Sequence, residues 1–108
     1  MRSLAYSIIF SFLALFILLP AQKSLATMDY AKQSLIGSDF SNQDLRGVTF
    51  NLANLKNANL SGSDLQAASL FGAKLEGADL SNTNLREATL DSAVMDGTDL
   101  SFSVLENA

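Results

Sequence analysis

The chain has 108 residues, 7 basic and 11 acidic side chains, a formal net charge of −4, and no cysteine, histidine or tryptophan. That length allows one small domain. Without cysteine there is no disulfide, thiolate metal site or thiol nucleophile, and without histidine the commonest general base and metal ligand is missing.

The first element is the segment 1–26, "MRSLAYSIIFSFLALFILLPAQKSLA". One basic residue, Arg2, precedes a largely apolar run from Leu4 to Leu19, Pro20 ends the run, and Ser24 and Ala26 occupy the small-residue positions of a cleavage site. That layout predicts a secretory signal peptide cut after Ala26. The run is short for a spanning helix, which needs roughly 20 apolar residues, so no stable membrane insertion is expected after cleavage. No cysteine follows it and only one arginine precedes it, which excludes lipoprotein and twin-arginine signals. Cleavage removes Arg2 and Lys23 and leaves 5 basic and 11 acidic residues, a net charge of −6. Such a surface repels nucleic acid and anionic lipid.

An irregular lead-in is expected over 27–32, followed by repeats over 33–107. Every position divisible by five is large and apolar: Leu35, Phe40, Leu45, Phe50, Leu55, Leu60, Leu65, Leu70, Leu75, Leu80, Leu85, Leu90, Met95, Leu100 and Leu105. Tyr30 extends the series backward. On an α-helix five residues advance by about 140°, so no apolar stripe would form. In a continuous strand an odd spacing would flip alternate leucines to opposite faces. A short extended piece followed by a turn, every five residues, puts all of them into one interior.

The other repeat positions agree. Two residues before each leucine the side chain is small, as at Ala53, Ala58, Ser63, Ala68 and Ala78, which leaves room inside. The residue between them faces out and is often Asp or Asn. Two residues after each leucine lies the third position of a four-residue turn, where a type II turn needs positive φ. All six glycines fall there, joined by Asn42, Asn57, Asn82 and Asn107. Ser41, Ser61, Ser81 and Ser101 are 20 apart, which predicts four sides per coil and a rod of about 18 Å at ~4.8 Å per coil.

"ANLKN", "ANLSG", "AKLEG", "ADLSN" and "TNLRE" resemble the A(D/N)LXX motif of the pentapeptide repeat family. The resemblance implies an all-β solenoid, a right-handed quadrilateral β-helix of about four coils. It covers about 75 of the 108 residues. Gln33 and Gln43 depart from the small inward residue, and Val48 is larger than usual there, so the first coil is expected to be loosened or to act as a cap. Exported members of the family in cyanobacteria and chloroplasts make the periplasm or thylakoid lumen the expected compartment.

Serines are abundant but lack a base to activate one, so no catalytic, cofactor-binding or metal site is assigned and no cofactor is expected. Asp79 and Asp99 would lie one coil apart, and an Asp/Ser face gives the alternative of a divalent-cation- or envelope-binding module. Lys56 and Glu76 are placed to pair across coils. The candidate interaction surface is Val94, Phe102 and Val104 in the last coil, where end-to-end homo-oligomerisation or docking of a protein partner is expected. Leu52 and Phe71 form a smaller patch. The family includes cytoplasmic DNA mimics that protect topoisomerases, but −6 over this length falls short of the roughly ten charges on 18 Å of duplex, and export removes the chain from DNA. The expected function is a non-enzymatic scaffold or protein-interaction module outside the cytoplasm.

Overall fold

The computed structural model describes residues 28–108. The segment 1–26, expected to be a signal peptide, lies outside the described residues. Every β-bridge is parallel and joins a residue to the one 20 further along, from Asp29 with Thr49 to Asn84 with Val104. Four five-residue units therefore make one stride. Each unit has a single bridged residue and a two-residue turn, because a bend every five residues leaves no room for a longer strand.

In the unit from Asn59 to Ser63 all five N–H groups find acceptors. Asn59 donates to the Ser38 carbonyl in the coil before (2.9 Å), and Leu60 and Gly62 donate to Asp79 and Ser81 in the coil after (2.8 and 2.9 Å). Ser63 closes the turn on the Leu60 carbonyl at 3.2 Å. The remaining N–H, on Ser61, is taken by the Asn59 side-chain oxygen at 3.0 Å. Asp29, Asp39, Asp44, Asn54, Asp64, Asp79, Asn84 and Asp99 do the same two residues on. This is the physical reason for Asp or Asn before the leucine: a carbonyl-like oxygen on a short stem satisfies the one donor that the ladder leaves over. Where position 69 carries a serine instead, Asn51 of the preceding coil accepts from both Phe71 N–H (3.1 Å) and Ser69 Oγ (2.5 Å).

Every third turn residue has positive φ, between 55° and 71°. Glycine and asparagine supply it cheaply, yet Lys32, Leu52, Ala67, Glu87, Ser92 and Phe102 are also held at 59–64°. The left-handed conformation costs roughly 1–2 kcal/mol for a side-chain-bearing residue. The ladder on both sides of each corner imposes it regardless of residue type.

The interior ladder is sealed in the middle. Leu45, Phe50 and every fifth residue to Leu85 are 0% exposed, and the small residues beside them from Ala53 to Ala88 are at most 3% exposed. Ser63 and Thr83 enter this small column because their hydroxyls donate to the Leu60 and Leu80 carbonyls at 2.5 and 2.8 Å. Val48 is also fully buried.

The ends depart from the expected ladder. Leu35, Leu90, Met95 and Leu100 are only partly buried, and Leu105 is exposed. Among the described residues these rungs have a neighbouring coil on one side only, and their burial falls accordingly. Gln33 and Gln43 are exposed rather than inward-packed, since a first coil leaves them free to leave the interior.

Residues 28–32 form a regular unit, not the irregular lead-in expected over 27–32. Asp29 bridges Thr49, Tyr30 N–H donates to Thr49 at 2.7 Å, and Gln33 N–H closes the turn on Tyr30 at 3.2 Å. Tyr30 joins the ladder, stacked on Phe50 (centroids 5.3 Å apart, 17° between planes) and edge-on to Phe40 at 5.4 Å. This aromatic cluster lies where the first coil's bridges are in register, so the coil is not loosened. Among the described residues, no helix is long and apolar enough to cross a membrane.

Candidate interaction surface

Each outward column is built by the 20-residue stride. Asp39, Asn59, Asp79 and Asp99 are joined in sequence by bridges, and the serine column runs beside them. In each coil one side-chain oxygen accepts both the N–H and the Oγ of the serine two residues on. The Asp79 oxygen does so at 2.9 and 2.6 Å, and the Asp99 oxygen at the same two distances. The Ser41 and Ser101 hydroxyls hold the Asp39 and Asp99 carboxyls below their usual range, helped by the serine N–H. These aspartates are therefore occupied locally in closing their own turns. Among the described residues, no group of three or more acidic or other metal-ligating side chains is placed to hold an ion.

Charged side chains pair along the columns. Lys56 Nζ lies 3.2 Å from Glu76, and Arg86 donates to Glu106 at 2.9 Å, each across one coil. Arg46 turns instead to its own unit, donating to both Asp44 oxygens at 2.7 and 2.6 Å. That fork keeps the Asp44 carboxyl below its ordinary value and the Arg46 guanidinium above its own. The arginine pairs are solvent-exposed and contribute well under ~1 kcal/mol each, whereas Glu76 is half-buried, with Oε1 shielded from solvent.

Val94 is 42% exposed, Phe102 87% and Val104 38%. Val94 and Val104 take part in bridges with Lys74 and Asn84, half a stride apart. The three residues therefore do not form one lateral patch but ring the last coil. Phe102 sits at a corner with φ of 59°, an aromatic side chain where the fold prefers glycine or asparagine. Leu105 completes the set at 44%, with Leu90, Met95 and Leu100 partly open beneath the coil. The sequence pattern hides Leu105, because its repeat position is identical to that of the buried Leu65 and Leu85. Only counting coils reveals that its rung is the last one described.

Leu52 and Phe71 lie in adjoining coils, 50% and 45% exposed. Leu52 N–H donates to the Phe71 carbonyl at 2.8 Å. The Leu52 side chain lies over Gly72, where an added Cβ would come within 2.6 Å of its tip. Asn42 lies over Gly62 and Asn57 over Gly77 in the same way. The bare corner of one coil is thus the seat for the side chain of the coil before.

A family model described as "Pentapeptide repeats", in eight copies, matches residues 34–70 and 68–107. Solved structures similar to this chain include a pentapeptide repeat protein from the Arabidopsis thaliana thylakoid lumen. It is 35% identical over 70% of this chain and 63% of its own, with a TM-score of 0.48. A second, from the cyanobacterium Cyanothece, is 28% identical over 70% and 63% of the two chains, with a TM-score of 0.35. A third, involved in heterocyst differentiation regulation in the cyanobacterium Nostoc, is 25% identical over 74% and 56%, with a TM-score of 0.40. The chain thus spans less than two thirds of the length of these three structures. No curated protein matches it.

Proposed function

We propose a function from the premise that this chain belongs to the pentapeptide repeat family, whose members form right-handed β-helices. The 20-residue bridge register supports a four-sided rod of about four coils. On this reading the chain is a non-enzymatic scaffold or protein-interaction module acting outside the cytoplasm, in the periplasm or a thylakoid lumen. The single observation that carries it is the pairing of a filled interior with apolar side chains the fold does not need. From Leu45 to Leu85 every ladder position is 0% exposed, so the middle of the rod offers protein faces and no interior chamber. Phe102, meanwhile, stands 87% exposed at a left-handed corner that asparagine would fill at lower cost. A large aromatic side chain left this exposed is one that a docking partner would cover.

The signal-like segment and the net charge of −6 without it support export and a partner that is not nucleic acid. The cation-binding alternative is weaker, because Asp79 and Asp99 already accept bonds from their own serines. The test is affinity capture with the tagged chain against separate envelope and cytosolic extracts of the source cell. A reproducible envelope partner, lost when Phe102 is replaced by Asn, is the expected result. Capture of a topoisomerase from cytosol instead would overturn both the location and the role.

A further inference from the structure

Units 20 residues apart stack on one side of the rod, so 48–52 lies against 68–72 through the Thr49–Ser69 bridge. These two units, "VTFNL" and "ASLFG", are the only stacked pair in the two middle coils without a charged residue. They also carry Leu52 and Phe71, both among the exposed large apolar side chains. That exposure does not come from a chain end. The Asp29–Thr49 and Ser69–Thr89 bridges put a further coil above and below the pair. A leucine and an aromatic ring held in water on a neutral face, on a chain otherwise rich in charge, mark a contact surface.

The charges stand at the margins of this side, and their order says what covers it. Lys32 N–H donates to the Asn51 carbonyl and Gly72 N–H to the Asp91 carbonyl, each at 2.9 Å. Lys32 therefore occupies the corner of Leu52 one coil earlier, and Asp91 follows Phe71 one coil later. Both are exposed, and neither takes part in an ion pair among the described residues. A two-fold axis perpendicular to the rod, crossing this side between the second and third coils, exchanges the coil of Lys32 with the coil of Asp91.

We propose that this side is the interface of an antiparallel, two-fold dimer of this chain. Lys32 of each copy then faces Asp91 of the other, so the one opposite-charge pair is made twice. Leu52 of each copy comes against the bare Gly72 corner of the other, beside its Phe71. Asp29 and Glu87 face Thr89 and Gly47, so no like charges meet across the side. Parallel pairing has neither advantage, since it sets Lys32 on Lys32 and Asp91 on Asp91. The patch is self-complementary, which a two-fold contact requires and an unrelated partner does not. The inference rests on the four-sided scaffold reading and names a second copy as that scaffold's partner.

Substitutions that the repeat already uses permit a test without loss of the fold. Leu52→Asn puts at this corner the residue that Asn42 and Asn57 supply over Gly62 and Gly77. Phe71→Ser puts in place the residue found at Ser61 and Ser81. Both variants should keep the circular dichroism of the parent. The full chain, expressed with its own leader, is followed by sedimentation velocity across a concentration series. The expected result is a monomer–dimer equilibrium that stops at the dimer, because a two-fold interface closes on itself. Leu52→Asn combined with Phe71→Ser should leave a monomer. Lys32→Asp or Asp91→Lys exchanges two attractive contacts for two repulsive ones and should weaken the dimer about tenfold. The two charge changes in one chain should restore it. A monomer at every concentration would overturn the proposal, as would a dimer that survives the Leu52 and Phe71 changes. Charge variants that associate like the parent would show parallel pairing or another face, and growth beyond the dimer would show end-to-end contact; either result also overturns it. The two readings fail separately: a monomer that captures an envelope partner keeps the scaffold and loses the dimer, and a dimer that captures nothing does the reverse.

Discussion

The third coil, residues 69–88, and the last, 89–108, are written in the same five-residue grammar and behave differently. Leu70, Leu75, Leu80 and Leu85 are 0% exposed, whereas Leu90, Met95 and Leu100 are partly open and Leu105 is 44% exposed. Their turns have the same φ signs and, at most corners, the same closing bond. In a solenoid, then, the motif sets the conformation of a unit and the neighbouring coil sets its energy. At this end of the rod, a leucine loses burial where the described residues provide a coil on one side only.

The largest expected effect sharpens that contrast within one column. Leu65 and Leu105 occupy the same ladder position two coils apart. Leu65→Ala opens a cavity among fully buried neighbours and should cost about 2–5 kcal/mol in urea denaturation. Leu105→Ala removes a side chain already half in water and should cost less than ~1 kcal/mol. Equal losses at the two sites would mean that the last rung is covered in solution, and would break the comparison as drawn.

A smaller effect compares corners. Gly72 and Gly97 have φ of 65° and 70°, so an alanine at either meets a left-handed backbone penalty of roughly 1 kcal/mol. At Gly72 the added methyl also displaces the Leu52 side chain, whose tip lies 2.6 Å from the new Cβ position, while at Gly97 the nearest atom is 3.9 Å away. Gly72→Ala should therefore lower the melting temperature further than Gly97→Ala. Leu52 is flexible at its tip, so the excess should stay within ~1 kcal/mol. The fold already holds Ala67 at φ of 59°, so both variants are expected to fold.

The repeat was legible because its constraints are local. Leucine spacing, small inward residues and glycine or asparagine at the corners each follow from five residues and one bend. The corner rule predicted position but not composition: Leu52, Glu87 and Phe102 adopt positive φ because their ladders require it, and no local propensity announces that. The start of the helix was misplaced for a related reason. Met28 and Lys32 look unlike repeat residues, but Tyr30 stacks on Phe50 and pulls their unit into register. For the candidate surface, the exposure of Val94, Phe102 and Val104 was legible and their distribution around the coil was not. Which side a residue faces depends on the stride of 20, which no single five-residue unit announces.

The smallest predicted effect concerns acid. The carboxyls held below their ordinary value are Asp39 and Asp44 in the first coil and Asp99 in the last. For Asp39 and Asp99 the chief cause is the serine hydroxyl two residues on, and for Asp44 it is the Arg46 guanidinium. A carboxyl whose folded value is depressed contributes stability that is fully present above its unfolded value near 3.9. That contribution is lost as pH falls through the lower folded value. The melting temperature should therefore not respond to these three groups between pH 7 and 5, and should fall below about pH 4. Amide exchange in the units around Asp39 and Asp99 should accelerate before exchange in the units from Leu60 to Leu75. Asp99→Asn separates this from a general acid effect. Asn59 accepts the same serine N–H and hydroxyl without titrating, so the variant should keep its closed turn and lose the acid response of the last coil. If Asp99→Asn and the wild-type chain frayed alike at low pH, the serine–carboxylate ring would be a passive consequence of the turn.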